Sequence, residues 1–351
     1  MTAPIDRSGP PMRDALTGQA GGKKRRRGRS GGRDEFQMVP DATFTSYYGR
    51  PIVKPAPWTD DIPMYLFLGG LAGGSSLLSA GANATDRPAL RRTGRLGALG
   101  AISASFYFLV HDLGKPARFH HMLRVAKPTS PMSVGTWVLT AYGPMAAVAG
   151  AAELRPWLPR WLRSGPLGAL LGWVATPAGV AAAATAPAVA AYTAVLLADT
   201  STPSWHAAHK ELPFVFVGSA SAAAGGLGMI GAPVSEAGPA RRMAVGGALL
   251  ELAAEHKMES AMGITAEPLH AGKAGQLMKA SKALTILGAA GAALLGGRSR
   301  TAAAVSGAAL LAGSACTRFG IFEAGQESAR DPKYTVVPQR ERLDRGQPAR
   351  G

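Results

Sequence analysis

Two groups of ionisable residues in this chain are spaced for proton chemistry. In the first, Ser105-Phe-Tyr-Phe-Leu-Val-His-Asp-Leu-Gly-Lys-Pro-Ala-Arg-Phe119, an apolar run ends at His111 and Asp112. A Gly-Lys-Pro turn, Arg118 and the pair His120/His121 follow. In the second, Glu251, Glu255 and Glu259 stand at i, i+4 and i+8, with His256 and Lys257 beside them. On a helix that spacing stacks three carboxylates on one face. Ionisable groups at membrane depth are costly and mark proton, ion or substrate sites. For the first group the competing reading is a charged helix end with snorkelling anchors. For the second it is a helix that stops near Ala254, with Glu255 onward in a loop.

The elements that position these groups are long apolar runs. A helix needs roughly 20 apolar residues to cross the hydrocarbon layer. Such runs are Ile62–Asn83, Gly94–Asp112, Val134–Ala152, Leu167–Leu197, Leu212–Ala232, Met243–Met262, Ala280–Gly296 and Thr301–Ile321. The fourth is long and interrupted by Pro177 and Pro187, so it is one kinked helix or a span plus a re-entrant piece. The expectation is an all-α, polytopic membrane bundle of eight spans, or nine if the fourth run splits. Gly69, Gly70, Gly73 and Gly74 form overlapping small-xxx-small pairs in the first span, which suits close helix packing in lipid.

Composition agrees. The chain has 351 residues, 47% hydrophobic and only 17% charged, with charge concentrated in tails and short loops. The net charge of +16 does not point to nucleic acid. Its densest cluster, Lys23-Lys-Arg-Arg-Arg27, lies in a Gly/Ser/Pro-rich tail whose expected role is topological, held in the cytoplasm beside anionic lipid. The expected division is a disordered basic tail over residues 1–45, a transmembrane domain over 46–325 and a polar tail over 326–351. Residues 1–35 lack an apolar signal-peptide core, so the first apolar helix is expected to direct insertion into the inner membrane, with cytoplasmic termini.

Cys316 is the single cysteine, which excludes an internal disulfide and a four-cysteine iron–sulfur site. No apolar run has a histidine at its centre, so no haem is expected, and loop histidines give no metal site. Trp58, Tyr65, Tyr107, Trp137 and Tyr142 fit an interfacial belt. They also fit a pocket for a flat ring with two carbonyls; Tyr107 and Trp137, flanking the His-Asp segment, are the better pocket candidates.

Several segments taken together resemble the NrfD/PsrC family, the membrane subunits of polysulfide-reductase-type molybdoenzymes. They are Ile62-Pro-Met-Tyr-Leu-Phe-Leu-Gly-Gly-Leu-Ala-Gly-Gly74, His111-Asp-Leu-Gly-Lys-Pro-Ala-Arg-Phe119, Ser130-Pro-Met-Ser-Val-Gly-Thr-Trp137, Tyr192-Thr-Ala-Val-Leu-Leu197 and the segment 322–333. The resemblance spans about residues 45–335. It implies an eight-helix anchor without its own redox cofactor, exchanging electrons between a menaquinone or related quinone pool and a partner iron–sulfur subunit. That partner is of the four-cluster ferredoxin type, beside a molybdopterin catalytic subunit. Asp112 and Arg118 match the family's aspartate and arginine, while Lys115 replaces the usual arginine and loses its bidentate fork. The expected site has Asp112 and His111 in proton exchange and Tyr107, Trp137, Tyr142 and His121 around the ring. Arg118 holds the loop or the partner, and Glu251 and Glu255 connect the site to water. The competing classes are an ion-translocating or transporter-like module and a purely structural anchor.

Overall fold

The computed structural model describes residues 51–157 and 159–344. The basic segment 1–45 lies outside the described residues. Among the described residues there is no strand. Eleven α-helices follow in order: α1 (Asp61–Ala84), α2 (Pro88–His111), α3 (Pro131–Leu154), α4 (Arg160–Ser164), α5 (Pro166–Ala198), α6 (Pro203–Ala207), α7 (Leu212–Gly231), α8 (Gly238–Met262), α9 (Gly272–Leu294), α10 (Arg300–Arg330) and α11 (Lys333–Asp344). Three 3₁₀ segments, Pro116–Leu123, Arg155–Trp157 and Gly263–Leu269, lie between them.

Each of the eight apolar runs is one long helix. Six are long and apolar enough to cross a membrane; α3 and α8 are the two that are not. Hydroxyls and rings dilute α3, and α8 carries Arg241, Arg242 and the three glutamates. The fourth run does not split. α5 is continuous over 33 residues through Pro177 and Pro187, about 50 Å at the α-helical rise, so it tilts or projects beyond a ~30 Å hydrocarbon layer. Six helices, α2, α3, α5, α6, α7 and α8, have proline in the first turn, where its missing N–H would be unpaired in any case. α10 starts instead on Ser299, whose Oγ accepts from the Ala302 N–H at 3.3 Å.

Sequence neighbours pack antiparallel: α1 with α2, α7 with α8, and α9 with α10. α1 and α7 run parallel through the middle, with Gly70 against Ala220 and Gly74 against Ala224. α2, α3 and α5 flank one side of this pair; α8, α9 and α10 flank the other. One end of the bundle gathers residues 85–87, 155–157, 159–165, 232–237 and 295–299, tied by Arg87 Nη1 to the Ser235 and Glu236 carbonyls (3.2 Å each) and by Arg300 Nη1 to the Met229 carbonyl (2.7 Å). The opposite end holds both limits of the described chain and the longer segments 112–130, 199–211 and 263–271. There Gln326 Nε2 donates to the Ala56 carbonyl at 3.0 Å.

Glycine sets how closely the helices approach. A Cβ at Gly225 of α7 would sit 2.5 Å from the Ala244 nitrogen and 2.6 Å from the Ala240 oxygen of α8. Backbone cannot yield as a flexible side chain can, so Gly225→Leu should destabilise the protein by about 1–3 kcal/mol or more. Gly246→Ala, into open space, should leave thermal unfolding in detergent unchanged. Equal midpoints for the two variants would refute this account of the contact.

The eighth run ends later than expected. α10 continues nine residues past Ile321, and its last turns are packed: Gln326, Ser328 and Ala329 are buried. The Ile321 carbonyl accepts from Trp205 Nε1 at 2.8 Å. Arg318, which the apolar run placed near a boundary, is therefore deep inside the bundle. Beyond it, Lys333 Nζ donates to Glu267 Oε2 at 2.8 Å, and that bond holds the Glu267 carboxyl below the usual carboxylate range. A carboxyl depressed in the folded state stabilises above its unfolded pKa, so this tether of α11 should loosen only as pH falls into the acid carboxylate range.

Candidate functional site

The first ionisable group forms a rim at the end of the bundle that holds the chain limits. His111 is the last residue of α2 and Asp61 the first of α1. The antiparallel hairpin brings them together, with His111 Nδ1 2.6 Å from Asp61 Oδ2. One turn earlier on α2, Tyr107 stacks on the imidazole, ring centroids 5.7 Å apart and planes 20° apart. Asp112 faces the other way. Its Oδ1 accepts from the Thr59 N–H at 3.1 Å and from Thr59 Oγ1 at 2.8 Å, securing the chain that enters α1.

Around this rim the surface is aromatic and open. Tyr107 is 61% exposed, Phe106 47% and Trp137 42%. Phe119, in the 3₁₀ segment, meets Phe106 edge to face with centroids 5.7 Å apart. Trp137 Nε1 points at the Val125 carbonyl, 3.5 Å away. Arg118, His120 and His121 are exposed on the same segment, the two imidazoles edge to face with centroids 4.4 Å apart. Tyr142 is elsewhere: fully buried three turns into α3, its hydroxyl sharing a 2.8 Å hydrogen bond with Ser76 of α1.

The second group lies across the bundle. α8 is helical through Met262, so all three glutamates share a helix face as their spacing requires. Glu251 and Glu255 are each 1% exposed. Thr317 Oγ1 is 2.7 Å from Glu251 Oε1 and 2.6 Å from Ser281 Oγ. Lys282 of α9 reaches Glu259 at 2.8 Å and Glu255 at 3.5 Å, and His270 stands 3.9 Å from Glu259 at the exposed end. The result is a ladder from His270 at the surface to Glu251 near mid-depth. Beside its inner end, the buried Arg318 donates from Nη2 to the Phe216 carbonyl at 2.8 Å and lies 3.6 Å over the Phe216 ring. Among the described residues Glu251 Oε2 and Arg318 Nε and Nη1 have no hydrogen-bond partner.

Among the described residues no hydrogen bond joins ladder to rim. Glu251 and Glu255 thus reach the surface by their own route, through Glu259 and His270, and not by way of His111. Nor do three or more His, Cys, Asp or Glu side chains converge as metal ligands among those residues.

The family model of the polysulphide reductase NrfD matches residues 52–234, just over half of the chain. The chain belongs to the NrfD family. No curated protein matches it. The NrfD match takes in α1 to α7 and the whole rim, whereas the ladder helices α8 to α10 lie beyond it. As an NrfD protein the chain is a multi-pass membrane subunit that works with other redox subunits in a polysulphide-reductase-type complex.

Sequence reading did not find Asp61, Thr59, Lys282, Thr317 or Arg318. An acid at the first residue of a span and a cation inside an apolar run were the available signals for Asp61 and Arg318. Lys282 and Thr317 carry no local signal, because their importance arises from contacts between helices.

Proposed function

We propose that this NrfD chain is the quinone-reactive subunit of a multi-subunit oxidoreductase, passing electrons between a menaquinone-type pool and a ferredoxin-type iron–sulfur partner. The partner's substrate chemistry would reside on a molybdopterin subunit. The observation that carries this reading is the His111–Asp61 pair, capped by Tyr107 and open to an aromatic rim. Interconverting quinone and quinol moves two electrons and two protons. A carboxylate on Nδ1 favours the Nδ1–H tautomer and leaves Nε2 to accept from a ring hydroxyl or, once protonated, to donate to a ring carbonyl. Asp112, with Oδ2 unused by Thr59, is the second proton-exchanging group. Tyr107 and Trp137 offer faces on which a ring can stack, and Arg118 and His121 lie where the 3₁₀ segment would meet the partner.

The ladder favours a second reading, in which protons travel within the membrane domain. Two assays separate them. With the whole complex, quinone reduction driven by the partner should require this chain, and no b-type haem band should follow it through purification. Ion flux in vesicles containing this chain alone, without redox turnover, would overturn the quinone reading.

Orientation needs its own measurement. The basic tail favours cytoplasmic termini. The short-turn end, however, gathers Arg87, Arg91, Arg92, Arg95, Arg155, Arg160, Arg163, Arg241, Arg242, Arg298 and Arg300 and no lysine, which draws that end inward by the same rule. Labelling cysteines placed at 86 and 344 in a Cys316→Ser background reads which end is inside.

A further inference from the structure

Toward the arginine-rich end, an apolar groove of about 520 Å³ lies between α3 and α5. Met145 and Val148 of α3 and Leu170, Val174, Ala178 and Ala181 of α5 line it. Beyond its outer end, between α3 and α5, come Arg155, Arg160 and Arg163. Arg155 donates to the Arg163 carbonyl at 3.4 Å and lies across Gly172 of α5, where a Cβ would sit 2.7 Å from Nη1. Glu153, the acid nearest them in sequence, is taken by Arg91 and Arg95 at 3.0 Å each. No acid pairs with Arg155, Arg160 or Arg163 among the described residues. Trp157, Trp161 and Trp173 stand 66%, 74% and 80% exposed beside them, and Arg92 lies 4.4 Å over the Trp157 ring. Exposed tryptophans of this kind sit at headgroup level, so the guanidiniums are at phosphate depth while the groove opens on the acyl region.

We propose that this place binds an anionic phospholipid, with its phosphate on Arg155, Arg160 and Arg163 and one acyl chain in the α3–α5 groove. Both halves of the arrangement are needed. The groove alone would take any chain, and the arginines alone would attract any anion. Together they fit a lipid whose headgroup carries net negative charge, because a zwitterionic headgroup brings its own cation to a place that already holds three. The groove lies at the opposite end from His111, so the proposal stands or falls independently of the quinone reading.

The test titrates the delipidated full chain in mild detergent with brominated phosphatidylglycerol or brominated phosphatidylcholine, following tryptophan quenching. Phosphatidylglycerol should quench at about hundredfold lower concentration, as expected for three cations near a charged headgroup. The triple variant Arg155→Gln/Arg160→Gln/Arg163→Gln should abolish that preference, and Arg298→Gln at the same end should retain it. Ala178→Phe, which fills the groove, should weaken quenching by both lipids. Should the triple variant fail to fold, Arg160→Gln alone, an exposed side chain, should lose about fivefold. Equal quenching by the two lipids would overturn the proposal. So would an unchanged preference in the arginine variants, or displacement of lipid by an uncharged long-chain quinone but not by phosphatidylglycerol.

Discussion

Replacing Asp61 by Asn, or His111 by Gln, is expected to lower quinol-coupled turnover by about 10²–10⁴-fold, the usual contribution of a positioned proton donor or acceptor. Both variants keep side-chain volume close to the parent, and neither touches the buried core. Activity of the complex with an artificial acceptor, which bypasses the membrane subunit, should be unchanged. Asp112→Asn should also depress quinol turnover, and the structure makes this a clean test. An Asn Oδ1 can still accept from the Thr59 N–H and hydroxyl, so the change removes a proton and not the tether. Asp112→Ala removes both, and should lower the amount of assembled complex as well. Quinol turnover per assembled complex near the parent value in Asp61→Asn and His111→Gln would take the pair out of the mechanism.

The other large effect is on stability. Arg318→Met should destabilise the protein by about 1–3 kcal/mol, the cost of leaving the buried Phe216 carbonyl without its donor. Glu251 is buried at the inner end of the ladder, and no ion pair joins it to Arg318 among the described residues. Arg318→Met/Glu251→Gln tests whether the two act through the bundle interior as a pair, since removing both members of a buried pair is often neutral and a coupled pair would recover much of the loss. Thermal unfolding of the singles and the double gives the coupling energy directly. Additive losses would show that the two residues do not act as a pair. If the ladder carries protons, the recovered double variant should fold and yet fail in proton uptake, which distinguishes transport from packing.

The helices were legible because lipid imposes a simple rule: satisfy every backbone group internally and cover the outside with apolar side chains. Eight apolar runs gave eight helices, and the i, i+4, i+8 glutamates did fall on one face of α8. The rule failed where polar side chains are buried against other helices. The last turns of α10 carry Gln326 and Ser328, which read as the start of the polar tail by hydropathy but are buried, and Arg318, at the end of the eighth run, is buried within the bundle. The rim was half legible. His111 and Asp112 drew attention by adjacency, but the acid that meets the imidazole, Asp61, lies 50 residues away in sequence. Only the α1–α2 hairpin brings them together. Tyr142, grouped with the rim by its place near a helix end, instead packs against Ser76 in the core.

Glu251 stands eleven residues from the open end of α8, about 16 Å along the helix and so roughly half the thickness of the hydrocarbon layer. A proton climbing the ladder from His270 would therefore cross about half of any electrical potential held across the membrane. At 100 mV that is roughly 1 kcal/mol, or a severalfold change in occupancy of the innermost carboxylate. Were the ladder to carry protons, the protonation of Glu251 would depend on voltage, rising or falling with the energised state of the cell according to which way the bundle faces.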